Sequence, residues 1–453
     1  MPPDTGLHQS PRIVPLLHRA AVTCAGLLLL VIPFRATVGL RGGLLALTVI
    51  LLLVAYLRNG PNWRECLPRQ SLLNAIAVVW LAATLLWALA SDSPSHGLHL
   101  VRRDVLSPIL GYCVFHALTR NYADLACWSW FLFVAQLVLT VMVVLDPFQV
   151  DVAVHRPAYI DVGVLSAWVV TVAALVPVFW LVPQATRGAF VASVASRFAS
   201  SHIASSHIAP SRIAAVVLTA CILVAAALSA NRTVWICFAA MLVAGSLLAL
   251  RLHADRRRLF VRVVFILTGV TALLALGWAS LAIRATAYPD ARSGQVAYLL
   301  DDPRRVLWAE GAKMIAEKPL AGRGFGSNAL KAEFADRTRD NTAHLRFEHA
   351  HNVVLNYGMQ MGLFGAMLIL TLFSTLAVEF LRLAGRQAGP LAQTTAICGV
   401  ALLVGVFLRN MTDDFFLRQS SLLFACVAGM LVGAGSRDAL TFSVQPGSPP
   451  AGR

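Results

Sequence analysis

"SLLNAIAVVWLAATLLWALA", residues 71–90, runs for twenty residues without a charge. A helix rises about 1.5 Å per residue, so about twenty residues cross the roughly 30 Å of a bilayer's hydrocarbon core. No water is available there, so such a run must close its own backbone hydrogen bonds and is therefore expected to be a helix. Comparable runs recur at 18–34, 36–57, 105–119, 125–145, 158–183, 213–230, 233–250, 262–284, 352–381, 393–408 and 418–434. The run at 105–119 is the shortest of these expected spans. The 453 residues are 58% hydrophobic and only 13% charged, against about 25% charged in soluble domains. The expected fold is an all-α polytopic membrane protein of about twelve transmembrane helices. The first run begins with His18 and Arg19 and has no clear cleavage site, so it reads as a retained helix rather than a secretory signal.

Charge orients the helices. With the N-terminus cytoplasmic, eighteen arginines fall at the inner face and nine at the outer, leaving aside the long segment 285–351. This asymmetry follows the positive-inside rule, which counts short loops. The long segment carries 10 basic and 9 acidic residues and is nearly neutral. The formal charge of +15 is thus mostly a topology signal, not a footprint for nucleic acid. The expected organisation is nine helices over 1–284, an outer loop over 285–351, three helices over 352–434 and a cytoplasmic tail over 435–453.

The cysteines offer neither a disulfide framework nor zinc-ligand spacing: Cys66 is placed in a cytoplasmic loop, and the other seven lie in apolar runs. Residues 196–215 repeat a five-residue Ser/Ala-rich unit. Its His202 and His207 read as part of a low-complexity linker rather than as metal ligands. In the outer loop, "RRVLWAEGAKMIAEKP" (304–319) has the period of an amphipathic helix, with Trp308, Ala312 and Ile315 on one face and Pro319 as its stop. "LAGRGFGS" follows, and its glycines predict a compact turn that brings backbone close to a neighbour. It is not a dinucleotide fingerprint, because no βαβ unit surrounds it.

At the lip of the tenth run stands "EHAHNVVLNYGMQMGLFG" (348–365). With a helix from His351 onward, Gly362 and Gly365 fall about 20° and 40° to either side of the His351 direction. That places the histidine at the outer end of a glycine seam where a neighbouring helix packs closely. A competing reading makes His351 and Asn352 helix caps. His349 reads as a loop residue or a partner of His351.

The pattern H-(N/S/Q)-x9-G-x-x-G, met here by His351, Asn352, Gly362 and Gly365, resembles that of bacterial O-antigen ligases. The segment from Arg304 through Trp308 to the 322–326 glycines, and "LSANRTVW" (228–235) with Arg232, are similar to further landmarks of the ligase/polymerase superfamily. The resemblance implies a GT-C-like membrane glycosyltransferase of the bacterial inner membrane, and the layout with one large external loop agrees with it. The arginine asymmetry gives both termini as cytoplasmic and that loop as periplasmic, and the loop's Trp, Phe and helical periodicity give it as ordered. The resemblance also implies transfer of O-antigen from undecaprenyl diphosphate to a lipid A–core sugar, with inversion and without metal or cofactor. The catalytic histidine of the family corresponds to His351.

The residue chemistry suits that reaction. An imidazole can take the proton of an attacking hydroxyl at neutral pH. Arginines bind phosphate oxygens bidentately and can receive the charge of a leaving diphosphate. Arg232, Arg304 and Arg305 are the candidates for that role. Arg156 and Arg284, near span mouths, are candidates for supporting contacts or for anchoring lipid phosphates, and His349 and Asn352 for supporting His351. The pairs Asp301–Asp302 and Asp413–Asp414 invite a metal reading, but loop solvation or helix-start capping is the favoured one. Tyr288, Asn341 and Glu348 are further candidates for sugar recognition. An O-antigen polymerase and a protein O-oligosaccharyltransferase share the donor. A lipid-linked glycan flippase is the alternative from another class, but it needs polar lining through the membrane, and only Asp161 and His116 stand out as ionisable within the runs.

Overall fold

The computed structural model describes residues 13–59, 71–146, 160–180, 210–229, 231–252, 266–279, 304–339, 347–385, 388–414 and 416–443. Among these residues every regular element is helical. In chain order they are α1 (Ile13–Val31), α2 (Val38–Asn59), α3 (Ser71–Leu89), α4 (Pro94–Leu100), α5 (Ser107–Leu118), α6 (Tyr122–Leu145), α7 (Val162–Ala173), α8 (Val176–Trp180), α9 (Pro210–Leu228) and α10 (Arg232–Leu252). They continue with α11 (Ile266–Ala279), α12 (Arg304–Glu317), α13 (Asn328–Arg339), α14 (Val353–Leu383), α15 (Pro390–Thr412) and α16 (Arg418–Ser443).

Among the described residues, seven helices are long and apolar enough to cross a membrane: α2, α3, α6, α10, α14, α15 and α16. This is a multi-pass membrane protein. Each of the twelve expected runs contains a helix among the described residues, and in five of them the described helical stretch is shorter than that length. Four are the apolar stretches Pro15–Val31, Gly163–Phe179, Ile213–Leu228 and Ile266–Ala279. The fifth is α5, with 12 residues. The run expected at 158–183 is interrupted by a turn between α7 and α8, just before Pro177, whose ring nitrogen cannot donate to a continuing helix. Leu53, Leu57, Val78 and Leu86 face outward as lipid-facing residues do, whereas α16 lies in the core, with Val427, Met430 and Leu431 fully buried. Glu379 (7% exposed) lies inside α14, where it pairs with Arg382 at 2.7 Å, so Asp161 and His116 are not alone as ionisable groups within the runs.

Two features position the site. Residues Val101–Leu106 between α4 and α5 form a π-helical turn, a distortion that recurs at functional sites. It buries Asp104, which takes Arg103 in a two-point ion pair at 2.7 Å and accepts the Arg418 N–H at 2.7 Å. The second feature is the polar helix pair α12/α13. Its own small core joins Leu307, Met314, Ile315, Leu330 and Phe334 to Ala350 and Met359 at the start of α14. The buried stripe of α12 is Leu307, Gly311, Met314 and Ile315. Ala312, expected on that face, is exposed, because α14 meets the helix about one residue round from the sequence-based stripe.

The loop between α12 and α13 is the predicted compact glycine turn. Gly322, Gly324 and Gly326 all have positive φ. The Arg323 and Gly324 N–H groups donate to the carbonyls of Met359 and Gln360 at 3.0 and 2.9 Å, and the Phe325 N–H donates to Trp87 O at 3.2 Å. The carbonyls of 359 and 360 are free to accept because α14 kinks at Gly362, at φ 69 and ψ −163. At the kink Leu363 N–H donates to Pro319 O at 2.7 Å. A side chain at Gly362 would collide with the Pro319 and Leu320 backbone, and one at Gly365 with Tyr357 O and Met361. Close approach is thus made to the Pro319 turn and within α14 itself, not to a neighbouring membrane helix as expected.

Candidate active site at the mouth of the kinked helix

His351 lies just before α14, not in it, and has φ 50. For a side chain with a Cβ this left-handed conformation costs about 1–3 kcal/mol and persists only where surrounding contacts enforce it. The contacts are specific. Ala350 N–H donates to Asn356 Oδ1 at 2.8 Å. Asn352 Oδ1 accepts the N–H groups of Val354 and Leu355 at 3.0 and 3.1 Å, while its Nδ2 donates to Met411 O at 3.3 Å. Asn352 is therefore the helix cap, a role worth about 1 kcal/mol. His351 is not a cap. The helical alignment of His351 with Gly362 and Gly365 is also corrected, since the helix begins after His351 and breaks at Gly362.

Freed from the helix, the His351 ring reaches the loop between α15 and α16, where Nδ1 lies 2.6 Å from Asp413 Oδ1. Burial alone would raise the Asp413 pKa, but the His351 hydrogen bond and the Arg409 charge outweigh it and hold the carboxyl below its ordinary value. An ionised Asp413 accepts from Nδ1–H, which leaves the lone pair of His351 on Nε2. Arg409, 1% exposed, donates to Asp413 Oδ2 at 3.4 Å and, through Nε and Nη2, to Ser166 Oγ at 2.9 and 2.7 Å. Asn231 Nδ2 reaches the same Ser166 oxygen at 3.3 Å, which brings the N-terminus of α10, with Arg232, to this side of the site. Arg304, at the start of α12, is close enough for its charge to act on Arg409. Arg232 and Arg304 are half-buried, and Arg305 is exposed.

On the other side of His351 lies His349, with ring centres 4.1 Å apart. Burial, with the neighbouring His351, lowers the His349 pKa to about 4. Asp414, 5% exposed, receives Asn356 Nδ2 on Oδ2, and burial raises its pKa to about 6. His349 and Asp414 both line a cavity of about 380 Å³. His349, His351 and Asp413 offer ligand atoms within 4.8 Å of one another and could hold a metal ion. His351 Nδ1 and Asp413 Oδ1 are already joined, so a cation on those atoms would replace that hydrogen bond.

Arg409, Asp413 and Asn356 are site members that no sequence motif marks: Arg409 reads as one of the outer-face arginines and Asp413–Asp414 as a solvated or capping pair. One available signal was the i, i+4 spacing of Arg409 and Asp413, which sets both on one helix face. Arg156, Arg284, Asp301, Asp302, Tyr288, Asn341, His202, His207 and Cys66 lie outside the described residues.

Residues 214–370 match the protein-family model described as O-antigen ligase. This match places the segment in the O-antigen ligase/polymerase superfamily. No curated protein matches the chain at a significant level. The ligase-family segment contains Arg232, Arg304, Arg305, His349, His351, Asn352, Gly362 and Gly365. Asp413, which holds His351, lies outside the segment, as do Arg409 and Ser166 behind it and Asp414, which accepts from Asn356; all reach it only through the fold. The family supports ligase- or polymerase-type glycosyl transfer in general terms.

Proposed function

We propose that this chain is an inverting glycosyltransferase that moves O-antigen from undecaprenyl diphosphate to a sugar of lipid A–core at the periplasmic face of the inner membrane, with His351 as general base. The observation that carries the proposal is the His351 Nδ1 to Asp413 Oδ1 contact at 2.6 Å, backed by buried Arg409. The acceptor hydroxyl gives its proton to His351 Nε2 as its oxygen attacks the anomeric carbon. The bond from that carbon to the diphosphate oxygen breaks on the opposite face, and the electron pair leaves with undecaprenyl diphosphate. Asp413 orients the ring and balances the imidazolium that forms, in the manner of a base–orienter pair. Arg232 and Arg304 stand on the Arg409 side and receive the diphosphate charge. Arg305, being exposed, meets the donor at its edge. The large polar loop is periplasmic in this reading, and both termini are cytoplasmic.

The test uses purified protein in detergent with EDTA, undecaprenyl-diphosphate glycan and, separately, lipid A–core, a short glycan and an acceptor protein. Transfer to lipid A–core is the expected result, and it drops sharply in His351→Ala. Chain extension alone identifies a polymerase, and transfer only to protein identifies a protein O-oligosaccharyltransferase. No transfer to any acceptor, together with lipid translocation in liposomes, sinks the enzyme reading in favour of a flippase.

A further inference from the structure

The cavity of about 380 Å³ is lined by residues of α4, the π turn, the start of α7, the glycine loop, α13, the 347–350 loop, α14, and the start of α16 with the loop before it. That volume is in the usual range for small-molecule sites, about 300–1,000 Å³. None of Arg232, Arg304, Arg305 or Arg409 is among its wall residues. Two buried polar atoms on its wall residues have no hydrogen-bond partner among the described residues: Asp414 Oδ1 and His349 Nδ1. The Phe416 amide pulls on the Asp414 carboxyl but makes no hydrogen bond to Oδ1. Buried polar groups are normally satisfied, so two such atoms on one cavity point to a ligand.

The chemistry of the wall selects its class. A carboxylate oxygen accepts only, so its partner must be an O–H or N–H donor. Lys331 and Arg418 also line the cavity and disfavour a cationic amine. Asp104 is neutralised by Arg103, which also lines the cavity, so Asp414 is the wall carboxylate that disfavours an anion beside it. Phe325 and Tyr357, with ring centres 6.1 Å apart, supply an apolar aromatic wall. Hydroxyls on a ring with apolar C–H faces, which is to say a saccharide, meet all of these conditions.

We propose that this cavity is the subsite for the acceptor saccharide, with one hydroxyl donated to Asp414 Oδ1 and another bound at His349 Nδ1. The inference rests on the glycosyltransferase reading above, which makes the donor glycan the other possible source of the saccharide. The donor's first sugar is bonded to the diphosphate and must lie with the arginines, so the cavity across His349 falls to the acceptor. His349 then bridges the bound acceptor and the base, 4.1 Å from the His351 ring.

Two measurements on the full-length protein in detergent test this. The first is binding of core oligosaccharide freed of its lipid, read by saturation-transfer NMR with no donor present. Wild type and Arg304→Ala are expected to bind alike, while Asp414→Asn and His349→Gln bind about tenfold more weakly or worse, the loss of one hydrogen bond to a charged or buried group. The second is transfer kinetics, in which the same two variants raise the acceptor KM about tenfold and change the donor KM little. Thermal melting of each variant checks its fold. No binding to wild type, unchanged binding in both variants, or a rise confined to the donor KM overturns the assignment. If wild type binds the oligosaccharide through these residues but transfers nothing, the enzyme reading falls and the saccharide site stands.

Discussion

His351 is held at φ 50 by contacts on both sides, and its ring is aimed by a carboxylate that is itself held by buried Arg409. Asp413→Asn keeps an acceptor oxygen for Nδ1–H but no longer balances an imidazolium. It is expected to fold and to lower kcat by on the order of 10²–10⁴, the range of general-base effects, with little change in donor binding. A transfer assay beside a thermal melt checks this, and an unchanged kcat would remove Asp413 from the mechanism. Asp414 gives a second prediction, of opposite sign for stability. Its pKa is raised to about 6 by burial, with the charges of Asp413 and Asp104 nearby. The folded state therefore binds more protons than the unfolded state between about pH 4 and pH 6, so stability falls as pH rises through that window. Asp414→Asn removes the ionisation. It should melt higher than wild type at pH 8, by on the order of 2–3 kcal/mol, with the gain vanishing near pH 4.

At the scale of elements, the kink in α14 joins the membrane helices to the polar helix pair. Gly362 combines positive φ with direct contact on the Pro319–Leu320 backbone. The Met359 and Gln360 carbonyls then dock the glycine loop, and the Pro319 carbonyl accepts the Leu363 N–H. Gly362→Ala adds a strained φ, worth about 1–3 kcal/mol, and a clash that only movement of the loop relieves. The expected outcome is a lower melting temperature and faster proteolysis between α12 and α13, while Gly39→Ala, a helical glycine with open space around it, changes neither. Equal protease resistance in the Gly362 variant would show that the loop is not anchored there. The polar pair also carries an ion network in which Arg323 and Arg337 share Glu317 and Glu333. The Arg337 pairs are partly exposed and add little, whereas Arg323 is buried at 5% exposure, and its pairs act beside the small core of Leu307, Met314 and Phe334.

At the scale of the whole molecule, the proposed base, its carboxylate partner, the proposed arginines and Ser166 come from α7, α10, α12, α15 and the loops beside α14. Polar groups gathered at one site in this way suit chemistry at a membrane face rather than conduction through it. In the orientation proposed from the arginine asymmetry, that site faces the periplasm. A cysteine at exposed Arg305 should then react with a membrane-impermeant maleimide in cells with a permeabilised outer membrane and an intact inner one. A label that appears only after the inner membrane is broken would invert the topology.

The sequence by itself determined the helical membrane class, because apolar runs of bilayer length have no other way to close their backbone hydrogen bonds. It also determined the compact glycine turn, because such close backbone approach and positive φ depend on residues without a Cβ. It brought out His351 through a local pattern, but not the geometry that distinguishes it. Only the tertiary structure decided that His351 stands outside the helix, that Asn352 alone caps it, and that Asp413 and Arg409 complete the site. The His351–Asp413 contact joins residues 62 apart in the sequence, and the Arg409–Ser166 contact residues 243 apart. Periodicity reports which face of one helix is apolar, not which loop of another element that face will meet.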